Sequence, residues 1–265
     1  MIDIHCHLLP GIDDGAKTEQ ESVEMMRLAV RCGTTGLVAT PHADPQYSYD
    51  PATISASLNR LRVLAPEGLN LYQGCDFHLM HDNVQDALLH PTRYTINGGR
   101  YLLVEFSDLV IFENTEEIFG RLEAAGMVIV VTRPERNPLL RQRLGLLEQW
   151  VAGGRLMQVT AGSLMGLWGT RVFDFSRAMI DRGLVHFVAS DGHDPRGRQP
   201  RLDEAHRWLS THYEPALAEL LTVVHPTAVI ENKPLDLKAL PPACRRRRSW
   251  FRRLFGRRKP KPSES

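Results

Sequence analysis

Two short patterns carry the strongest chemical signal in the chain: His5-Cys6-His7 near its start and Asp191-Gly192-His193 late in it. Side chains alternate along an extended backbone, so His5 and His7 share one side while Cys6 takes the other, which offers two imidazoles to one metal ion. Asp191 and His193 repeat the spacing. One His-x-His pair is weak grounds for a metal site, but two pairs with single ligand-type residues between them are strong grounds. Those intermediate residues are Asp13, Asp14, His42, Asp76, His78 and Glu105, followed by Arg133, Glu135, Arg136 and Arg198.

Mixed histidine and carboxylate ligation suits Zn²⁺, Mn²⁺ or Fe²⁺ better than Ca²⁺ or Mg²⁺. Clustered divalent cations lower the pKa of bound water and neutralise phosphoryl oxygens. Arginines beside them are planar, bidentate clamps for phosphate. Phosphate-ester hydrolysis is therefore the chemistry these residue types favour. A cysteine nucleophile inside a phosphate-cradling loop needs an arginine six residues further on; the residues six beyond Cys6, Cys32, Cys75 and Cys244 are Ile12, Val38, His81 and Trp250, which excludes it.

Short apolar runs alternate with longer amphipathic ones, the mark of a parallel sheet with crossover helices. Strands are expected at 2–5, 36–40, 70–74, 101–105, 127–131, 156–160 and 185–189. The candidate ligands and arginines fall at or just after the C-terminal ends of these strands, where parallel barrels build active sites. Helices are expected from about 19–32, 51–64, 83–89, 115–125, 139–151, 173–182, 202–213 and 215–223. Thr18 with Glu21, and Asp50 before Pro51, supply start signals. Seven βα units can close into an irregular barrel or lie open in a doubly wound sheet; periodicity does not choose.

The chain has 265 residues and a net charge of +1. Residues 245–265 hold ten Lys or Arg and one acid, which leaves 22 basic and 30 acidic residues elsewhere, so an acidic body carries a basic tail. The expected division is one domain over residues 1–240 and a Pro/Arg-rich tail over 241–265. Trp250, Phe251, Leu254 and Phe255 would gather on one side of a helix, and residues 245–259 could then lie on an anionic membrane surface. No nucleic-acid module appears. Scattered cysteines fit a reducing cytoplasm, and neither a signal peptide nor an apolar run of about 20 residues is present. The expected location is cytoplasmic, peripheral at the inner face of the cell membrane.

Taken together, the segments Met1-Ile2-Asp3-Ile4-His5-Cys6-His7, Asp13-Asp14-Gly15, Thr40-Pro41-His42, Val104-Glu105-Phe106, Pro134-Glu135-Arg136 and Ala189-Ser190-Asp191-Gly192-His193 resemble the PHP (polymerase and histidinol phosphatase) superfamily. Within it they resemble the CpsB/CapC-type protein-tyrosine phosphatases of capsular and exopolysaccharide systems. The resemblance implies a distorted TIM-like (βα)7 barrel, a cluster of metal ions, and the phosphorylated tail of a membrane tyrosine kinase as substrate. It implies one ion on His5, His7 and Asp191 with Asp76 bridging, another on Asp14, His42 and His193, and phosphate binding by Arg136 and Arg198. Manganese, zinc or iron are the metals expected, two or three per chain.

This chain departs from that pattern. Where the resemblance implies a glutamate after the third strand and a histidine after the fifth, it has Asp76 and Arg133; Glu105 is retained. A guanidinium cannot ligate a metal. Arg133 could stand in for one cation beside Glu105, it could leave a degenerate barrel that only binds, or His78 could restore a third site. A small-molecule phosphomonoesterase is the alternative enzyme, and an oligomer is compatible with the sequence. Asp3 is expected to sit behind a ligand histidine, Asp13 to be a loop residue, and Glu135 to orient Arg136. Trp150, Trp168 and Trp208 read as packing residues.

Overall fold

The computed structural model describes residues 1–237. The domain limit at residue 240 and the basic segment 241–265 lie outside the described residues.

Nine strands form among the described residues: β1 (Ile2–Cys6), β2 (Gly36–Ala39), β3 (His42–Ala43), β4 (Asn70–Gln73), β5 (Asp76–His78), β6 (Tyr101–Glu105), β7 (Val128–Thr132), β8 (Leu156–Thr160) and β9 (Phe187–Ala189). Seven of them fall at the seven expected positions, while β3 and β5 lie just beyond the expected second and third strands, as continuations of them after a break. Pro41, which has no N–H for a ladder, separates β2 from β3. Gly74 helps separate β4 from β5, and a Cβ there would lie 2.8 Å from Val38 Cγ1.

All ladders are parallel. β2 lies between β1 and β4, and the second sheet runs β3-β5-β6-β7-β8-β9. The circuit closes where the exits of β9 and β1 meet: Cys6 bridges Gly192, the His7 N–H donates to the Gly192 carbonyl at 2.8 Å, and the Asp191 N–H donates to the His5 carbonyl at 2.9 Å. The question left open by periodicity is thus answered by a closed, distorted seven-position barrel.

Inside it, Ile4, Val38, Leu103, Val130, Leu156 and Phe187 pack in one cluster drawn from β1, β2, β6, β7, β8 and β9. Each is essentially inaccessible and contributes about 1.5–3 kcal/mol of burial. A register irregularity in β1 between Asp3 and Cys6 lets Ile4 join this plug while Cys6 faces the outer layer under helices Glu19–Arg31 and Pro51–Leu64. His5 and His7 then stand above the plug, at the mouth.

Thr18 accepts the Glu21 N–H at 3.2 Å, while the Glu21 carboxylate accepts from Lys17 rather than from Thr18. Asp50 caps Ala52 and Thr53 with Pro51 at the first helical position. The helix expected over 139–151 instead opens with a turn, Leu140–Gln142, and begins at Leu144, because Asn137 Oδ1 accepts the N–H groups of Leu139 and Leu140 and Arg143 leaves helical geometry. A short helix, Ala161–Leu164, follows β8 without a sequence signal.

His186, just before β9, is buried; its Nδ1 accepts the Met157 N–H at 3.1 Å and its carbonyl accepts His225 Nδ1–H at 2.9 Å. Burial, reinforced by His225, pushes its pKa down to about 3. An unfolded histidine titrates near 6.5, so this contribution to stability is complete above about pH 6.5 and is lost as pH falls toward 3. In metal-free protein, the melting temperature of His186→Gln is expected to fall less between pH 7 and pH 4 than that of wild type; parallel profiles would refute this account.

Candidate metal centre

The mouth of the barrel is lined by nitrogen and oxygen acceptors turned toward one another. His5 Nε2 stands 3.2 Å from His7 Nε2 and 3.4 Å from both Asp76 Oδ2 and Asp191 Oδ1; His7 Nε2 is also 3.4 Å from Asp191 Oδ1. A second group gathers Asp14, His42 and His193 beside His7, with Asp14 Oδ1 at 3.3 Å from His193 Nε2 and 3.5 Å from His42 Nε2. A third group consists of His42, Asp76 and Glu105, with His42 Nδ1 at 3.4 Å from Asp76 Oδ2 and 3.3 Å from Glu105 Oε2. His78 belongs to none of these groups.

Hydrogen bonds behind the rings fix which nitrogen points inward. His5 Nδ1–H donates to Gln158 Oε1 at 2.9 Å, His7 Nδ1–H to Asp13 Oδ2 at 2.7 Å, and His193 Nδ1–H to the Asp191 carbonyl at 2.9 Å. Each leaves Nε2 with a free lone pair, the tautomer a metal requires. Thr132 Oγ1 donates to Asp76 Oδ1 at 3.2 Å and leaves Oδ2 for the centre.

The donor set passes a direct test of fit. His42 Nδ1, Asp76 Oδ2, Asp191 Oδ1 and His193 Nε2 are all buried without a hydrogen-bond partner among the described residues. Buried polar atoms are nearly always paired, and acceptors crowded against acceptors require a cation between them. The separations of 3.2–3.5 Å between neighbouring donors lie close to the edges, about 3.3–3.4 Å, of a tetrahedron with bonds of about 2.0–2.1 Å.

The other oxygen of Asp191 serves a different group. Asp191 Oδ2 accepts hydrogen bonds from Arg136 Nη1 and, at 2.7 Å, from Arg198 Nη2; Arg133 Nη1 lies 3.7 Å away. Arg133 also pairs with Glu105 through Nη2. Burial alone would raise the Asp191 carboxyl, but Arg133, His5, His7 and Arg198 outweigh it and hold it well below the carboxylate range. Asp76 is likewise held low against burial, by His5, His42 and Arg133, and the adjoining His193 and His42 rings hold Asp14 low. Asp191 and Arg133 adopt left-handed backbone, with φ of 53° and 41°, and strain of this kind concentrates at functional sites.

Residues 1–231 match the family model described as capsular polysaccharide synthesis, CpsB/CapC. The chain belongs to the CpsB/CapC family. Among its relatives, CapC of Staphylococcus aureus is 34% identical over 257 residues, covering 95% of this chain and 99% of that protein. Tyrosine-protein phosphatase YwqE of Bacillus subtilis is also 34% identical, over 226 residues, covering 84% and 89% respectively. A solved structure, described as YwqE from Bacillus subtilis and CpsB from Streptococcus pneumoniae, unique metal-dependent tyrosine phosphatases, superposes with a TM-score of 0.85 at 31% identity, covering 92% of this chain and 100% of that one.

Four residues of this CpsB/CapC chain have roles that their sequence context does not indicate: Asp13, in a loop as expected, and Trp168, a packing residue as expected, each do more, and Glu135 and Asp3 serve other partners. Asp13 holds the His7 ring and also accepts the N–H groups of Gly15 and His42, at 2.9 and 3.1 Å. The available signal was Gly15: a Cβ there would meet the His7 carbonyl oxygen at 2.1 Å, so only glycine lets this loop press on His7. Glu135 reaches the Thr160 N–H and Ser163 Oγ, at 2.9 and 2.7 Å, and so pins the end of β8 rather than Arg136. Asp3 accepts the Ser190 N–H at 3.0 Å and the His5 N–H at 3.4 Å, joining backbones rather than holding an imidazole. Trp168 lies against the arginines, its ring centre 3.8 Å from Arg136 Cζ and 5.6 Å from Arg198 Cζ. Such stacking contributes roughly 0.5–2 kcal/mol and restricts where a guanidinium can point.

Asp13→Asn removes the charge behind His7 while keeping the shape of the loop. It is expected to weaken Zn²⁺ or Mn²⁺ binding by about 10–100-fold, measured by competition with a chromophoric chelator. Unchanged affinity would make Asp13 a loop anchor only.

Proposed function

We propose that this chain is a metal-dependent protein-tyrosine phosphatase acting on the phosphorylated tail of a membrane tyrosine kinase that controls capsular polysaccharide synthesis. The observation that carries the reading is the division of Asp191, with an acceptor-lined cation site on one oxygen and a group of arginines on the other. His5, His7, Asp76 and Asp191 would hold one divalent ion, and Asp14, His42 and His193 another. When bound, such ions lower the pKa of water and neutralise charge on a phosphoryl group. Arg136 and Arg198 bind the phosphate oxygens; Asp191 and Trp168 hold these guanidinium groups in place. Cys6 and Cys75 do not compete as nucleophiles, because burial pushes both thiols well up.

Charge supports two ions rather than three. Asp13, Asp14, Asp76, Glu105 and Asp191 are five carboxylates, and Arg133, Arg136 and Arg198 are three guanidinium groups. A phosphate dianion raises the deficit of positive charge to four, which two divalent ions balance. Arg133, paired with Glu105 beside the His42–Asp76–Glu105 group, supplies the cation for the third position. Mn²⁺, Zn²⁺ and Fe²⁺ all suit the donors.

Elemental analysis is expected to find two tightly bound ions per chain in wild type and three in Arg133→His, with hydrolysis of a phosphotyrosyl peptide by wild type and at least a hundredfold loss in Arg136→Ala. Three ions in wild type would overturn the role of Arg133, and an inactive metal-loaded wild type would overturn the phosphatase.

No helix among the described residues is long and apolar enough to cross a membrane. We place the protein in the cytoplasm, held at the inner face of the membrane by residues 245–259, whose basic and aromatic sequence supports that placement. A chain ending at Leu240 is expected to keep its activity on soluble peptide and to lose sedimentation with anionic vesicles; equal sedimentation of both chains would remove the membrane role.

A further inference from the structure

Beside the arginines lies a cavity of about 280 Å³ that extends beyond the cation site and the phosphate clamp. It shares Asp191 and Arg198 with them, so any group in it would be contiguous with a phosphate on Arg136 and Arg198. Its volume falls just under the roughly 300–1,000 Å³ of sites that take whole small ligands, and suits a single side chain.

Part of the lining is apolar, and Thr160, Ser190, Gln199 and Glu204 add polar groups to the rest. Ala161, Met165, Leu167 and Trp168 line one side, and Leu167 and Met165 are 56% and 37% exposed, unusual for large apolar residues beside a charged centre. Gly162 keeps the space open: a Cβ there would lie 3.1 Å from Leu167 Cδ2 and 3.6 Å from Trp168 Nε1. The one additional cation on the rim, Arg201, is already paired with Asp203 at 2.9 Å and Glu204 at 3.2 Å, so the cavity is not built for a second phosphate.

We infer that this cavity seats the aromatic ring of the phosphotyrosine, with Leu167 and Trp168 against the ring while Arg136 and Arg198 hold its phosphate. The inference rests on the phosphatase reading and adds a cause for its substrate class: an aliphatic phosphoester reaches the same ions and arginines but leaves the apolar walls uncovered. Burying a ring against such walls favours aryl over alkyl esters by about 10–200-fold.

The test uses the metal-loaded full chain with two pairs of probes: phenylphosphonate and methylphosphonate binding by calorimetry, and phenyl phosphate and methyl phosphate compared by KM, because their turnover numbers also carry the difference between the two leaving groups. Wild type is expected to favour the phenyl member of each pair by tenfold or more. Gly162→Leu, which fills the cavity, should reduce that ratio toward one, and Leu167→Ser on the exposed rim should reduce it severalfold without relying on a change inside the fold. Equal affinity of wild type for the two phosphonates would overturn the aryl seat while leaving the phosphatase intact. So would variants that lower both members of a pair alike. If neither phosphonate binds and neither ester turns over, the phosphatase reading fails and the seat fails with it.

Discussion

Asp191 turns one carboxylate oxygen toward His5 and His7 and the other toward Arg136 and Arg198, and this division sets what the remaining structure must accomplish. A buried carboxylate is costly unless its charge is answered on every side. Here the answer comes from residues far apart in sequence, which only a closed barrel brings together. Closure occurs at this very position, through the bridge between Cys6 and Gly192 and the bond from the Asp191 N–H to the His5 carbonyl. The same hydrogen bonds that complete the barrel therefore set the distance between the two ends of the cation site.

That coupling explains the backbone at Asp191. A left-handed conformation in a non-glycine residue is unfavourable, and it persists only where its surroundings fix it. Ser190 on one side is anchored by Asp3, and Gly192 on the other lies against Pro200, where a Cβ would be 2.7 Å from the Pro200 Cα. Asp3 thus serves the metal centre from beneath, through the main chain.

Much of this was legible in the sequence because strand periodicity is short-ranged. His5, His7, Asp191 and His193 declare themselves by a spacing of two at strand exits, and all seven strand positions follow from apolar runs. The splits of the second and third strands were marked only by Pro41 and Gly74. The supporting residues were not legible, since their roles are set by partners distant in the chain: Gln158 reaches His5 across the barrel, and Trp168 reaches Arg136 and Arg198 from the segment after an unforeseen helix. Glu135 and Asp13 show the same limit. Residue type announced a polar role for each, while the partner depended on loop paths that local sequence does not encode.

The interruption at Thr40-Pro41 and Gly74-Cys75 has a consequence for how such a centre can diverge. Below the break, β2 and β4 run in the ladder around the apolar plug; above it, β3 and β5 carry His42 and Asp76 on short separate segments. Even so, β3 and β5 are ladder strands of the second sheet, and Ala43, Cys75 and Phe77 beside the two ligands are buried in its core. A change in the packing beneath this rim would therefore move His42 and Asp76, so such a centre can diverge only as far as the sheet that carries it allows.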